Sequence, residues 1–296
     1  MFISRTSINV NMTRNSEIFA HQGFVATTNV FTPQQIERMR ADIQQAVHSR
    51  QSGLSPIEDR HIGTTTEAYT QQFTQCLNLW EDHASIEAIV RNPALTTIAA
   101  DLLGTHRVRV FQDQALFKGP HGSPTYTHQD LAYWPMASSQ CLTAWIPLSP
   151  TGSTLQRGAM GYLAGSHQSG NCLFADIAHI EDEGELKANE MAFLNHPDWS
   201  HKSMTYVEAS VGTVIWHHGL TVHRALPNLT DDTREVFTVV YFADGILRGS
   251  MRQDVENVPH FVTDGLSSDE VVRPGEPLAS ARMPLVYTSA ERTSKL

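Results

Sequence analysis

The chain has no excess of positive charge, no paired-cysteine motif and no long apolar run. Its 296 residues carry 21 Lys and Arg against 31 Asp and Glu, a formal net charge of -10. A nucleic-acid binder needs a basic stripe to neutralise phosphates, and that class is set aside. The same deficit argues against attraction to an anionic membrane surface. Three cysteines, Cys76, Cys141 and Cys172, lie far apart, their count is odd, and no Cys-x-x-Cys occurs. This predicts a reduced, cytoplasmic protein. No stretch approaches 18 consecutive apolar residues, so no membrane-spanning helix is expected. The first residues, "MFISRTSINVNMTRNSE", lack the apolar core of a signal peptide. There is no internal repeat, charge block, low-complexity segment or evident linker. A monomer or homodimer is expected.

What is present suffices for a folded core. The apolar fraction is 41%, and all-β domains reach this length undivided, so residues 1–296 are expected to form one domain. Residues 32–50 read as an amphipathic helix, with Ile36, Met39, Ile43 and Val47 at helical spacing. Thr32 can cap it, Pro33 suits the first position, and Gln35 completes a capping box. A second helical region, about 85–103, is broken at Asn92-Pro93 and stops at Gly104. The chain then turns to strands: "RVRVFQDQALFKGP" (107–120), "CLTAWIPLSP" (141–150), "VGTVIWH" (211–217) and "EVFTVVYFA" (235–243). Helices followed by several strands with turns between them suggest an antiparallel sandwich or barrel under a helical layer of about 32–104. The strands would form a core of about 107–245. The polar stretch 170–204 would be an insertion able to act as a lid.

Within "YTHQDLAYWP" (126–135), His128 and Asp130 are two apart. If 127–131 is extended, both side chains share one face and Gln129 points away. With 15 histidines in the chain a His-x-Asp arises by chance, and a second one, His196-Pro197-Asp198, does occur. Pro197 cannot donate to a sheet ladder, which disfavours that copy. A further histidine on a neighbouring strand would complete two imidazoles and a carboxylate, the ligand set of a non-haem Fe(II) oxygenase. "WHHGLTVHRALPNLTDDTREVF" offers His217, His218 and His223. Arg234 follows His223 by eleven positions, and a guanidinium binds a carboxylate such as the distal end of 2-oxoglutarate through two parallel hydrogen bonds.

Three ordered blocks resemble the phytanoyl-CoA dioxygenase family of Fe(II)/2-oxoglutarate oxygenases. They are "LFKGPHGSPTYTHQDLAYWP" (116–135), "RGAMGYLAGSH" (157–167) and "TVHRALPNLTDDTR" (221–234), with "GEPLASARMPLVY" (275–287) fitting the C-terminal end. The resemblance implies a mainly β fold, a cupin-like jelly roll or double-stranded β-helix. It implies His128, Asp130 and His223 as iron ligands and Arg234 as the anchor of 2-oxoglutarate. Gln114 and Trp145 fall where the family contacts that co-substrate, and Gln75 in "QCLNLWE" aligns there more loosely. Gln112 shares a strand face with Gln114, and inward polar groups need partners. The chain departs from the family pattern at Ala164, where a proline is usual, and at Ala225, where a small polar residue is frequent.

The reaction so implied consumes O2 and 2-oxoglutarate, releases succinate and CO2, and removes hydrogen from a substrate C–H. The presence of Asp130 favours hydroxylation over halogenation, because related halogenases lack this carboxylate. Leu131, Tyr133 and Trp134 would flank a small organic substrate, for which a secondary metabolite is favoured over an acyl-CoA. A metal-binding cupin-type isomerase or binding protein would keep the three ligands without needing Arg234.

Overall fold

A computed structural model describes residues 5–52, 73–174, 188, 190, 191, 193–249 and 271–290, with side chains from residue 14 onward. Among the described residues, eleven strands form two antiparallel sheets. The larger holds β1 (Phe24–Thr27), β2 (Phe73–Leu77), β3 (Arg107–Lys118), β5 (Cys141–Pro147), β8 (Val214–His218), β10 (Arg234–Ala243) and β11 (Leu285–Thr288). Its order is β1-β8-β5-β10-β3-β11, with β2 also paired to β3. The smaller holds β4 (Thr125–His128), β6 (Met160–Leu163), β7 (Met204–Val207) and β9 (His223–Ala225), in the order β4-β9-β6-β7. This is the jelly roll expected; among the described residues the two sheets stay separate and do not close into a barrel.

β10 explains the architecture. All ten of its residues are buried, because β5 and β3 flank it and both of its faces are covered. Such a strand reads as a continuous apolar run, not as an alternation. Phe237, Val239 and Tyr241 face the helices, while Val236 and Val240 face the other way.

The helical layer consists of α1 (Arg5–Gln22), α2 (Pro33–Gln51), α3 (Ala84–Val90) and α4 (Pro93–Leu103). The Thr32 hydroxyl accepts from the Gln35 backbone and the Gln35 side chain accepts from the Thr32 backbone, so the capping box forms. Ile36, Met39, Ile43 and Val47 are buried as the spacing predicted, and fully burying each such side chain stabilises the fold by roughly 1.5–3 kcal/mol. Asn92 caps α4 through its side chain, and Gly104, at φ 62°, ends it in a left-handed turn. The layer begins earlier than 32. α1 has no apolar stripe to betray it; among its described side chains, Ile18 and Phe19 reach the core cluster.

Two buried polar groups fix the end of β2. Arg50, in the last turn of α2, donates to Asp82, to Leu77 O and to Asn78 O. Asp113 accepts from the backbone of Leu79 and of Trp80, each at 3.1 Å. Together they hold β2 against β3 and so bring Gln75 beside Gln114. Within the 170–204 insertion, residues 175–187, 189 and 192 lie outside the described set. The described part packs Phe193 and Trp199 against Leu163 and Val222.

Candidate active site

His128 ends β4 and His223 opens β9, and the antiparallel register sets the two directly opposite. Their ring centroids are 4.2 Å apart. Asp130 does not share a strand with His128. β4 stops at His128, and Asp130 opens a three-ten turn over 130–133. The physical reason lies in the flanking bonds. Leu131 N donates to Gly219 O and draws the chain away from β9. Gln129 keeps an extended backbone, so the predicted division holds. Its buried side chain points away and donates to Asn171 O and Leu220 O, while the Asp130 carboxylate turns towards the two histidines.

The histidine tautomers follow from their neighbours. Nδ1 of His128 donates to Tyr126 O at 2.7 Å, and Nδ1 of His223 donates to Thr221 O at 2.8 Å. Each Nε2 therefore carries a lone pair, and both Nε2 atoms face Asp130 Oδ1, at 3.6 and 3.5 Å. Two lone pairs aimed at a carboxylate oxygen repel unless a cation lies among them. Backbone acceptors behind metal-binding imidazoles are the usual way such ligands are oriented. The three ligand atoms lie within 4.8 Å of one another. The donor set therefore fits a divalent metal with three protein ligands and open positions.

Electrostatics agree. Burial holds the His223 imidazole well below its ordinary pKa, so it stays neutral. Burial works to raise the Asp130 carboxyl, but the surrounding imidazoles, with the hydrogen bond from His217 among them, outweigh it and hold it well below the usual carboxylate range. Its second oxygen, Oδ2, is pinned by Thr143 Oγ1 at 2.7 Å and by His217 Nε2 at 3.0 Å. Tyr162 stands behind His217, 3.2 Å from Nδ1. Burial and the nearby Asp130 push the Tyr162 hydroxyl well above its usual value, so it remains a donor. His217 then carries its proton on Nε2 and donates to Asp130.

A cavity between the sheets opens from the triad. Gln75, Gln114, Trp145 and Arg234 all line it. Arg234 is buried, its Nη1 donates to Gly158 O at 3.2 Å, and its guanidinium lies 5.8 Å from the Trp145 ring centre. Gly158 is required here. Its φ is +65°, and a Cβ would come 3.2 Å from Arg234 Cδ and 3.1 Å from Leu226 O.

Residues 19–236 match the sequence profile of the phytanoyl-CoA dioxygenase family. The chain belongs to this family. A probable alpha-ketoglutarate-dependent hypophosphite dioxygenase of Stutzerimonas stutzeri is 24% identical over 242 residues, 76% of either chain. Among solved structures, the alpha-ketoglutarate-dependent epimerase SnoN of nogalamycin biosynthesis superposes with a TM-score of 0.71 at 21% identity, covering 94% of this chain and 99% of that one. The carbocyclase SnoK of the same biosynthesis gives 0.66 at 25% identity, covering 92% and 95%.

The remaining predicted residues of this family member fall around the cavity with different parts. Trp134 lines it and packs on Phe111. Tyr133 sets its ring against His128 and against Phe174, with centroids 6.0 and 5.4 Å apart. Leu131 packs into the neighbouring apolar cluster. Gln114 finds Gln75 at 3.5 Å, whereas Gln112 Oε1 is buried with no described partner. Among the rival histidines, His217 addresses Oδ2 and not the Oδ1 that the ligands share, and His218 Nδ1 accepts from Leu220 N. His196 stacks on Trp199, away from the triad. Sequence reading did not find Thr143 or Tyr162. A signal for Thr143 existed, since it lies two before Trp145 on one strand face. His217 meets Thr143 only through the β5–β8 register.

Proposed function

We propose that the chain is an Fe(II)- and 2-oxoglutarate-dependent oxygenase that hydroxylates an unactivated C–H of a small organic molecule, a natural-product intermediate. The observation that carries the reading is the pair of Nε2 lone pairs converging on Asp130 Oδ1, with the buried Arg234 guanidinium in the same cavity. His128, Asp130 and His223 would hold the iron. Arg234 would bind the distal carboxylate of 2-oxoglutarate, with Gln114, Trp145 and Gln75 along the co-substrate. Iron with 2-oxoglutarate and O2 supplies oxidative decarboxylation to succinate and CO2 together with removal of a hydrogen atom from the substrate.

The chain's own residues orient and exclude. Thr143 and His217 hold Asp130 Oδ2, so that Asp130 would offer a metal its other oxygen and leave room for a chelating co-substrate and O2. Trp145 covers the guanidinium and keeps water from it. Tyr133, Trp134 and Leu131 stand at the substrate side, where aromatic faces suit an apolar ring or chain. Asp130 fills the position that a halide would need, which favours hydroxylation over halogenation. The cytoplasm is the compartment we assign, on three free cysteines.

The test is anaerobic addition of Fe(II) and 2-oxoglutarate, which should give a weak visible charge-transfer band that His128→Ala abolishes. A wild-type protein without the band, or a band that survives His128→Ala, refutes the assignment. Succinate release screened against a metabolite library would then name the substrate. A cupin-type binding protein or isomerase would bind metal yet release no succinate.

A further inference from the structure

The two strands that carry the histidines are joined by little backbone. β4 pairs with β9 at Thr125 with Ala225 and at His128 with His223, and the register slips between these pairs. β4 therefore has Tyr126 and Thr127 where β9 has Arg224 alone. A bulge of this kind interrupts the ladder and bends the strand that carries the extra residue. Here it lies immediately before His128. It presents Tyr126 O to the His128 ring, whose Nδ1 donates to it at 2.7 Å. The aim of the His128 Nε2 lone pair thus depends on the shape of a seam that the backbone ladder does not close.

One side chain spans the seam. Glu190 lies in a helical part of the 170–204 insertion. Its Oε1 accepts from Thr127 Oγ1 at 2.8 Å and pairs with Arg224 Nη1 at 2.7 Å. Thr127 precedes His128, and Arg224 follows His223. Successive side chains of a strand point to opposite faces, so the Glu190 carboxylate joins the two strands from behind the histidines. The carboxylate side chain is 14% exposed and the guanidinium side chain 20%; a partly buried pair of this kind is screened less than one in open solvent. A hydrogen bond between a guanidinium and a carboxylate is also among the stronger ones. The insertion meets the ligand loop a second time. Gln129, between His128 and Asp130, accepts from Leu173 N at 2.8 Å and donates to Asn171 O at 2.9 Å.

We propose that Glu190 is a positioning residue, whose carboxylate clamps the bulged seam between β4 and β9 and so fixes how the Nε2 atoms of His128 and His223 converge on a metal. It touches neither metal nor substrate. It acts through Thr127 on His128 and through Arg224 on His223. The proposal rests on the reading of His128, Asp130 and His223 as metal ligands. The insertion is then part of the frame of the metal centre. Without the clamp the seam can open, the two imidazoles spread, and metal binding weakens while the protein stays folded.

The test is Mn(II) binding followed by electron paramagnetic resonance, under conditions where a urea titration shows each metal-free variant to be folded. Glu190→Ala should weaken Mn(II) roughly tenfold, the low end for groups that orient metal ligands, and should change the zero-field splitting of the bound ion. Glu190→Gln keeps an acceptor oxygen at the same reach and should regain most of the loss. Thr127→Val keeps the β-branched shape and should weaken Mn(II) several-fold. Adding Arg224→Met to Glu190→Ala should cost little more, because both changes remove one pair. Met191→Ala, at the neighbouring and 52% exposed position, should bind Mn(II) as wild type does. Wild-type affinity and spectrum in both Glu190→Ala and Thr127→Val overturn the proposal. Equal weakening in Met191→Ala overturns it too, since the effect would then belong to the insertion at large. A wild type that binds no Mn(II) overturns the metal reading, and the proposal with it.

Discussion

Removing the groups that pin Asp130 Oδ2 tests the architecture of the site most directly. Thr143→Val keeps the side-chain shape and deletes the 2.7 Å bond, while His217→Leu deletes the 3.0 Å bond and leaves Tyr162 without its partner. A hydrogen bond to a charged group contributes about 1.5–3 kcal/mol. Part of each loss is recovered, because the other donor still holds the oxygen and water can reach a side chain that is 17% exposed. Each single variant should therefore weaken metal binding by about tenfold to a hundredfold, the range for groups that orient a metal ligand. The double variant frees Oδ2 to swing onto the metal as a second ligand atom. Its loss should exceed the sum of the singles, since both groups act on one oxygen. It should also weaken 2-oxoglutarate, which competes for that position. The assay is Mn(II) binding followed by electron paramagnetic resonance, with the Fe(II)–2-oxoglutarate band as the second readout. Single variants within twofold of wild type would refute the pinning role. Loss of all metal binding in His217→Leu beside a harmless Thr143→Val would make His217 a ligand.

Three further outcomes follow from the geometry. Arg234→Gln should raise the 2-oxoglutarate dissociation constant at least tenfold while leaving Mn(II) binding unchanged, and an unchanged co-substrate affinity would remove Arg234 from its role. Gly158→Ala places a methyl 3.2 Å from Arg234 Cδ at a φ of +65°; it should cost roughly 1–2 kcal/mol in chemical denaturation through the left-handed backbone alone and weaken 2-oxoglutarate as Arg234 shifts, whereas a neutral result on both counts would contradict the close packing. Thr32→Ala removes the cap of α2 and should cost about 1 kcal/mol in a urea melt without altering metal or co-substrate binding.

The elements that sequence reading found are those with local causes. The α2 capping box, the Asn92-Pro93 break and the Gly104 stop are written in adjacent residues, and each formed as read. β10 was legible because a strand covered on both faces reads as a largely apolar run, here from Val236 to Ala243 with Thr238 as the exception. α1 was missed because its sequence shows no apolar stripe at helical spacing, although Ile18 and Phe19 pack against the core. An extended backbone from 127 ends at Gln129 and does not reach 131, for a related reason. Nothing in "HQD" announces that Leu131 N will bond Gly219 O, a residue 88 positions away.

By itself the sequence determined the chemical inventory: two histidines and a carboxylate able to bind metal, an arginine at a fixed interval, and no basic surface or membrane segment to suggest another trade. Side-chain chemistry is local, and ordered blocks carry it. Tertiary structure alone decided which oxygen of Asp130 faces His128 and His223, that His217 meets the other oxygen, and that Lys118 lies beside Arg234 with Thr125 before it. These are distances between strands whose partners are tens of residues apart. Register and sheet order set them, and no neighbouring residue encodes either.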